Sequence, residues 1–415
     1  MSLRPPAAIG LGAILVVLAW TLAIGHAVKV PCVHGEWGDG RPWTQLCYSD
    51  IVRLQEAEQL EGSRLPYFNA CSESGDPCDE YPPLTMWTMR LAAWASGPDR
   101  TQFFYWNAAL LWLAAFWITF LLFRMVGTRA LYFAAAPTLA IYATINWDLL
   151  AVLLATAATF AYLRRRDTWS GTLIGLGTAT KFYPALMLAP FAAGRLRDRR
   201  PDRGARLIGS AVAAWLVVNV PFLLAAPDGW LTFFRLSRDR PPDWDSLWFI
   251  GCQMLTGIGC TDVKLVNYAS AAIFGGLVIL VWAWKTRRDP SFERWTLAFP
   301  VIALFLVTNK VYSPQYSLWL LPWFALALPS WRLFLAFEAT DVAVFVTRFS
   351  WFGTINGIEG GLAGTVTQGW FMAASLARAL ILLVCIVEWV RSTQPAPSVE
   401  QPQPELGGAI VGASP

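Results

Sequence analysis

Apolar runs follow one another almost from end to end of the chain, and each can be read against the roughly 20 residues a helix needs to cross a bilayer. Ala7–Val28, Phe103–Phe123, Leu207–Ala226, Val266–Trp284 and Phe371–Val390 are long enough to cross alone. Three further stretches are interrupted by polar residues, which predicts paired helices joined by a hinge. These are Ala130–Leu163 at Asn146-Trp147-Asp148, Thr168–Ala193 at Lys181-Phe182-Tyr183-Pro184, and Trp295–Leu328 at Asn309 through Gln315. Leu333–Thr347 follows. The pattern predicts an all-α polytopic membrane protein with about 12 transmembrane segments. Its one long polar interval is 29–102. Within it, Asp50–Glu61 is expected to rest Ile51, Leu54 and Leu60 on the membrane and to turn Arg53, Glu56 and Glu58 to water. Pro83–Ser96 carries Leu84, Trp87, Leu91 and Trp94 at helical spacing and reads as a second interfacial helix.

Composition agrees, since 56% hydrophobic and 14% charged residues do not belong to an ordinary soluble domain. Residues 1–391 are expected to form a single membrane domain, with 392–415, rich in Pro, Gln and Ser, as a disordered tail. The net charge of +4 points to no nucleic acid, because the basic residues follow a topological logic. Arg124/Arg129, Arg164–Arg166, Arg195–Arg206 and Lys285–Arg294, with Arg4, Arg332 and Arg391, all fall on one side of a 12-span chain. The positive-inside rule makes that side, with both termini, cytoplasmic and turns the hinges and the long interval outward. Residues 1–28 also resemble a signal peptide, with an uncleaved anchor preferred. Six cysteines fall in close pairs within the outward segments, Cys32 with Cys47, Cys71 with Cys78 and Cys252 with Cys260. Disulfides in an oxidising exterior are expected, and metal binding is disfavoured because no compact zinc spacing is present. Cys385 lies in an apolar run and is expected to pack there.

The outward segments hold the candidate chemistry. Lys181 and Lys310 each sit in a hinge with Tyr and Pro (Tyr183, Tyr312), where a lone lysine would simply snorkel. Two such hinges suggest a cradle for a phosphate, and no Gly-rich loop marks a soluble nucleotide as its source. Asp50 is either a helix N-cap or a general base that takes a proton from an attacking hydroxyl. Glu80-Tyr81, before Pro82-Pro83, offers a carboxylate for a sugar hydroxyl or a cation. Asp148 is more readily an N-cap than a catalyst. The outer loop with Arg235, Arg238, Arg240, Trp244 and Ser246 combines guanidinium and indole groups suited to an anionic lipid head or a sugar face. Glu338, Asp341 and Arg378, within apolar helices, are expected to form a buried ion pair or polar network in preference to a proton path. No histidine motif supports metal catalysis.

Tyr48-Ser49-Asp50, Glu80-Tyr81-Pro82, Asn146-Trp147-Asp148, Gly175 through Lys181-Phe182-Tyr183-Pro184, and Lys310-Val311-Tyr312-Ser313-Pro314-Gln315-Tyr316 occur in this order. Together they resemble glycosyltransferase family 87, integral-membrane enzymes of the GT-C superfamily that include polyprenyl-phosphate-mannose-dependent mannosyltransferases. The resemblance implies a GT-C fold in the plasma membrane and an extracytoplasmic active site. It implies a polyprenyl-phosphate sugar as donor and a lipid or glycan acceptor, with inversion at the anomeric carbon. It makes Asp50 the base, and Lys181, Lys310 and Arg235 the stabilisers of the leaving phosphate. The chain departs from relatives that use a histidine near the last hinge; here Asn309, Tyr312 and Gln315 are left to position substrate. No cofactor is implied, and a divalent cation is left open. The competing readings are a 12-helix secondary transporter, which calls for midplane charges and repeat symmetry, and a non-catalytic membrane scaffold.

Overall fold

The computed structural model describes residues 10–35, 38–71, 78–257 and 260–393. The tail expected to be disordered lies, from 394 on, outside the described residues. Among these residues the chain is helical without a strand, apart from one isolated bridge between Gly360 and Ala363.

Five helices are long and apolar enough to cross a membrane: Leu11–Val33, the continuous Arg100–Ala134 segment, Pro201–Ala225, Val263–Arg288 and Gln368–Arg391. The first extends beyond the expected Val28 through Lys29, Pro31 and Cys32, so the outer interval begins later than the hydropathy suggests. Each of the three hinged pairs bends at its polar residues. Asp148–Leu163 starts immediately after Asn146-Trp147, Asp167–Thr180 stops before Lys181, and Ala298–Thr308 stops before Asn309. Their arms are shorter than the roughly 20 residues of a full crossing, and several are broken into short helical turns. The helix expected at Leu333–Thr347 runs from Trp331 to Ile355 and carries Glu338, Asp341 and Arg348 on its buried face.

Close backbone approach holds the layers together. Asp167–Thr180 lies along Pro201–Ala225, where a Cβ on Gly171 would meet the Leu207 carbonyl oxygen at 2.0 Å and one on Gly175 the Ala211 oxygen at 2.2 Å. Small residues four apart allow that contact, as in other packed membrane helices. At one end of the molecule basic residues close helix ends: Arg195 pairs with Asp167 at 2.5 Å and donates to the Tyr162 carbonyl, and Lys285 donates to the carbonyls of Trp389 and Ser392. At the other end gather the three hinges, the first outer interval and the disulfides Cys32–Cys47, Cys71–Cys78 and Cys252–Cys260. Cys385 is buried and free.

The two helices of the outer interval form at Asp50–Ala57 and Pro83–Ser96. The second keeps Leu91 and Trp94 exposed and buries Met86, Met89 and Arg90. The first departs from expectation: Ile51, Leu54 and Leu60 are buried in the protein core, and Glu58 is 0% exposed instead of facing water. Its amphipathic pattern is therefore satisfied by protein, because Arg100–Val126 packs against it.

Candidate functional site

The first outer interval is docked directly on the first hinge. Ser49 donates its hydroxyl to the Thr144 carbonyl at 2.7 Å, and the Ile51 amide reaches the Ile145 carbonyl at 3.3 Å. Behind it the buried Lys29 ammonium donates to the Tyr48 carbonyl at 2.8 Å. This places Asp50 in the first turn of its helix, where its carboxylate does not act as the N-cap, a position Ser49 occupies without a side-chain bond. Instead Asp50 Oδ1 accepts from the Tyr48 hydroxyl at 2.6 Å and Oδ2 accepts from Asn146 Nδ2 at 2.8 Å. Asp50 is half-buried, so a carboxylate held on two sides still meets the surface.

Asn146 connects this carboxylate to a lysine. Its Oδ1 accepts from Lys181 Nζ at 3.2 Å and from the Trp147 amide at 2.7 Å, while its Nδ2 also reaches the Tyr81 hydroxyl at 2.7 Å. Lys181 donates to Asp148 Oδ2 at 2.8 Å, and the other oxygen of Asp148 accepts from Trp319 Nε1 at 2.7 Å. Asp148 is thus the wholly buried counter-ion of Lys181, and the N-cap role expected of it is not found. The rings of Tyr81 and Tyr316 lie over the ammonium at 5.4 and 5.3 Å. Tyr183 and Tyr316 stack on Trp319 at 4.3 and 4.1 Å, which fixes the second and third hinges against each other. Lys181 has three N–H donors and two hydrogen-bonded partners, so its third donor can meet an anion.

Glu80-Tyr81 is carried on a strap pinned from below. The Glu58 carboxylate accepts from the amides of Asp79 and Glu80 at 2.7 and 3.3 Å. Arg64 pairs with Asp79 at 2.6 Å, and the Tyr67 hydroxyl donates to the Tyr81 carbonyl at 2.6 Å. Burial, reinforced by the charge of Glu80, pushes the Glu58 carboxyl up to about 8. Burial also raises the Tyr81 phenol, with the Asp50 charge adding to it, so it stays protonated beside the carboxylate. The strap explains why Tyr81 enters the site while its backbone stays out of it.

The remaining cations divide differently from expectation. Lys310 does not join Lys181: its ammonium donates to the carbonyls of Arg238 and Arg240 at 2.8 and 2.7 Å, closing the C-terminal end of the Pro227–Asp239 helix. Arg235 pairs with Asp228 at 3.0 Å on the exposed side of that helix. Arg240, by contrast, has a side chain 48% exposed, lies 3.7 Å from Asp243, and has a guanidinium whose charge is felt by Tyr316 and Glu80. Ser246 caps the Leu247–Thr256 helix by accepting from the Phe249 amide at 3.1 Å. Trp244 packs edge-on against Phe249, Trp351 and Phe352. Asn309 donates to the Val311 carbonyl, Gln315 is buried, and the Tyr312 ring lies 3.7 Å beneath Arg378.

Beneath this loop lies a buried ionic network. Arg348 pairs with Asp243 and Asp245, and Arg378 pairs with Asp245 and Asp341 at 3.1 Å each. Ser317 donates to Asp341 at 2.6 Å. Burial alone would raise the Asp243 carboxyl, but Arg348 and Arg240 outweigh it and hold it below the usual range. Of the three charges expected to form a buried ion pair or polar network, Asp341 and Arg378 pair directly. Glu338 stands apart from them, accepting from the amide and hydroxyl of Thr138 at 2.8 and 2.9 Å. Trp319 and Arg348 carry no signal in the sequence, Asn146 and Tyr316 appear there only as motif members, and Arg240 only as one cation of the outer loop. Arg240 and Arg235 share one basic run, and spacing alone does not distinguish which of them turns toward the hinges.

Comparison with known proteins adds three observations. The profile of glycosyltransferase family 87 matches residues 80–314, more than half of the chain. The chain is similar to the crystal structure of ArnT from Cupriavidus metallidurans bound to undecaprenyl phosphate, at 14% identity and a TM-score of 0.48 over 92% of this chain and 78% of that one. It is also similar to apo ArnT from the same organism (14%, 0.47, covering 91% and 76%) and to the apo oligosaccharyltransferase of Archaeoglobus fulgidus (13%, 0.40, covering 93% and 56%). The search of curated proteins found no match. A helical membrane chain whose hinges converge on a carboxylate and a lysine, and of which more than half matches one family profile, belongs to glycosyltransferase family 87 and is an integral-membrane glycosyltransferase.

Proposed function

We propose that this enzyme transfers a hexose, mannose by its resemblance, from a polyprenyl monophosphate to a hydroxyl of a lipid or glycan acceptor at the outer face of the plasma membrane. Asp50 acts as the base. The acceptor hydroxyl gives its proton to Asp50, its oxygen forms a bond to the anomeric carbon, and the bond from that carbon to the phosphate oxygen breaks, inverting the configuration. The departing polyprenyl phosphate carries the electron pair away. Lys181 and Arg240 meet the charge that grows on it, help that counts most because it is aimed at the transition state. Arg240 takes the place of Lys310 and Arg235, assigned this role by the resemblance, because its charge acts on Tyr316 and Glu80 beside Lys181, whereas Lys310 closes a helix end and Arg235 pairs with Asp228.

The observation that carries this reading is the chain Asp50–Asn146–Lys181, a carboxylate and an ammonium in one hydrogen-bonded unit, which supports a base and an anion-binding cation acting together. Asp50→Asn keeps the size and removes the base; loss of a general base costs about 10²–10⁴-fold. Membranes containing this variant, given polyprenyl-phosphate sugar and lipid acceptor, are expected to lose glycolipid formation by that factor while still binding polyprenyl phosphate. Undiminished transfer would remove Asp50 from the mechanism.

A further inference from the structure

The hinge residue Asn146 has no role in proton or phosphate chemistry, yet it makes four hydrogen bonds at the centre of the site. Its amide is oriented by its partners: Nδ2 faces two oxygens, Asp50 Oδ2 and the Tyr81 hydroxyl, and Oδ1 faces two N–H donors, Lys181 and the Trp147 backbone. Asn146 is 1% exposed, so water does not substitute for these contacts without a cavity opening. The dipole of the amide runs from the lysine cation to the aspartate anion, donor end toward the negative charge and acceptor end toward the positive one. Lys181 already has a counter-ion in Asp148, and direct contact with Asp50 would turn the second carboxylate toward it and away from an acceptor.

Resting on the proposed function, we infer that Asn146 is a positioning residue that joins the base and the phosphate-binding lysine into one unit while keeping them apart. Its amide holds the second oxygen of Asp50 so that the free lone pairs meet the acceptor. Its carbonyl shares Lys181 with Asp148, which leaves the third N–H for the leaving phosphate. Tyr81 is ordered by the same amide, which ties the strap of the first outer interval to both.

The groups that face Asp50 electrostatically are Lys29 of the first helix, Tyr81 of the strap, and Asp148 and Lys181 of the hinges. Tyr48 bonds to it directly, and Arg53 and Arg348 face that tyrosine. Of these groups Asn146 itself touches Tyr81 and Lys181, so its substitution acts on them as well as on Asp50. Asn146→Asp sets a second carboxylate against Asp50, and two carboxylates in hydrogen-bond contact share a proton. The acid limb of the pH–rate profile is then expected to lie at least about one pH unit above that of the wild type, with activity recovering above it. Asn146→Gln keeps the same groups but displaces them by a methylene, and is expected to lower kcat about 10- to 100-fold with little change in the donor KM.

Full-length protein in detergent is used for both, with binding of polyprenyl phosphate as the check on folding. A raised acid limb in N146D, or a kcat loss confined to turnover in N146Q, supports the bridge. An unmoved limb with wild-type kcat in N146Q overturns it, as does an N146D that binds polyprenyl phosphate but fails to recover at high pH. Asp50→Asn in the same assay separates the two ideas. If D50N remains fully active the base assignment itself fails, whereas an inactive D50N beside wild-type-like Asn146 variants removes only the bridge.

Discussion

Replacing Arg240 by Gln removes the guanidinium whose charge acts on Tyr316 and Glu80 while leaving its backbone carbonyl, which Lys310 holds, in place. A hydrogen bond to a charged group contributes about 1.5–3 kcal/mol. The Arg240 side chain is 48% exposed and shares its charge with Asp243 at 3.7 Å, which places the effect in the lower half of that range. About 1.5–2 kcal/mol corresponds to about a 10- to 30-fold loss in kcat/KM for the polyprenyl-phosphate donor. Because phosphate charge grows as the glycosidic bond breaks, part of the loss should appear in kcat and not only in KM. The assay is transfer of labelled sugar from polyprenyl phosphate to acceptor by purified protein across a range of donor concentrations. Arg235→Gln is the control, since Arg235 is exposed and paired with Asp228, and its loss should change kcat/KM by less than about twofold. Equal losses in the two variants, or an R240Q enzyme indistinguishable from wild type, would refute the assignment of the phosphate to Arg240.

Three further outcomes are expected. Glu58, held up to about 8 in the fold against 4.5 when free, keeps a proton that the unfolded chain releases, so stability falls as pH rises between those values; melting temperatures at about pH 5 and about pH 8 should differ in the wild type and converge in Glu58→Gln. Arg378→Met leaves the buried carboxylates of Asp245 and Asp341 short of a partner and should cost about 3–5 kcal/mol, read as a lowered melting temperature that a further Asp341→Asn partly restores. Cys47→Ala opens the Cys32–Cys47 link, whose 15-residue separation corresponds to about 3 kcal/mol, and because Tyr48 and Asp50 follow directly, transfer activity should fall together with stability.

Much of the architecture was legible in the amino-acid order. The long apolar helices, the three hinges and the two helices of the outer interval all depend on hydrophobic periodicity and local chain breaks, which act over a few residues. The disulfide pairs were equally legible, because close spacing leaves few alternatives. The first helix ran past its expected end because Lys29, which reads as polar in a hydropathy window, is buried on the Tyr48 carbonyl. Glu58 was misjudged for a related reason: a helical wheel separates apolar from polar residues but does not say that a polar one will find two backbone amides inside the protein.

By itself the sequence determined that this is a helical membrane protein, that its polar hinges and the outer interval with Asp50 face the same side, and that Glu338, Asp341 and Arg378 need partners inside apolar helices. Only the tertiary structure decided which cations are engaged and which remain for chemistry. Lys181 and Lys310 occupy similar motifs, yet one faces Asn146 and two tyrosine rings and the other closes a helix end on two carbonyls. Their difference arises from residues 35 and more positions away, brought near by helix packing. A charged group's availability depends on the full set of partners around it, and those partners are set by the fold and not by neighbours along the chain.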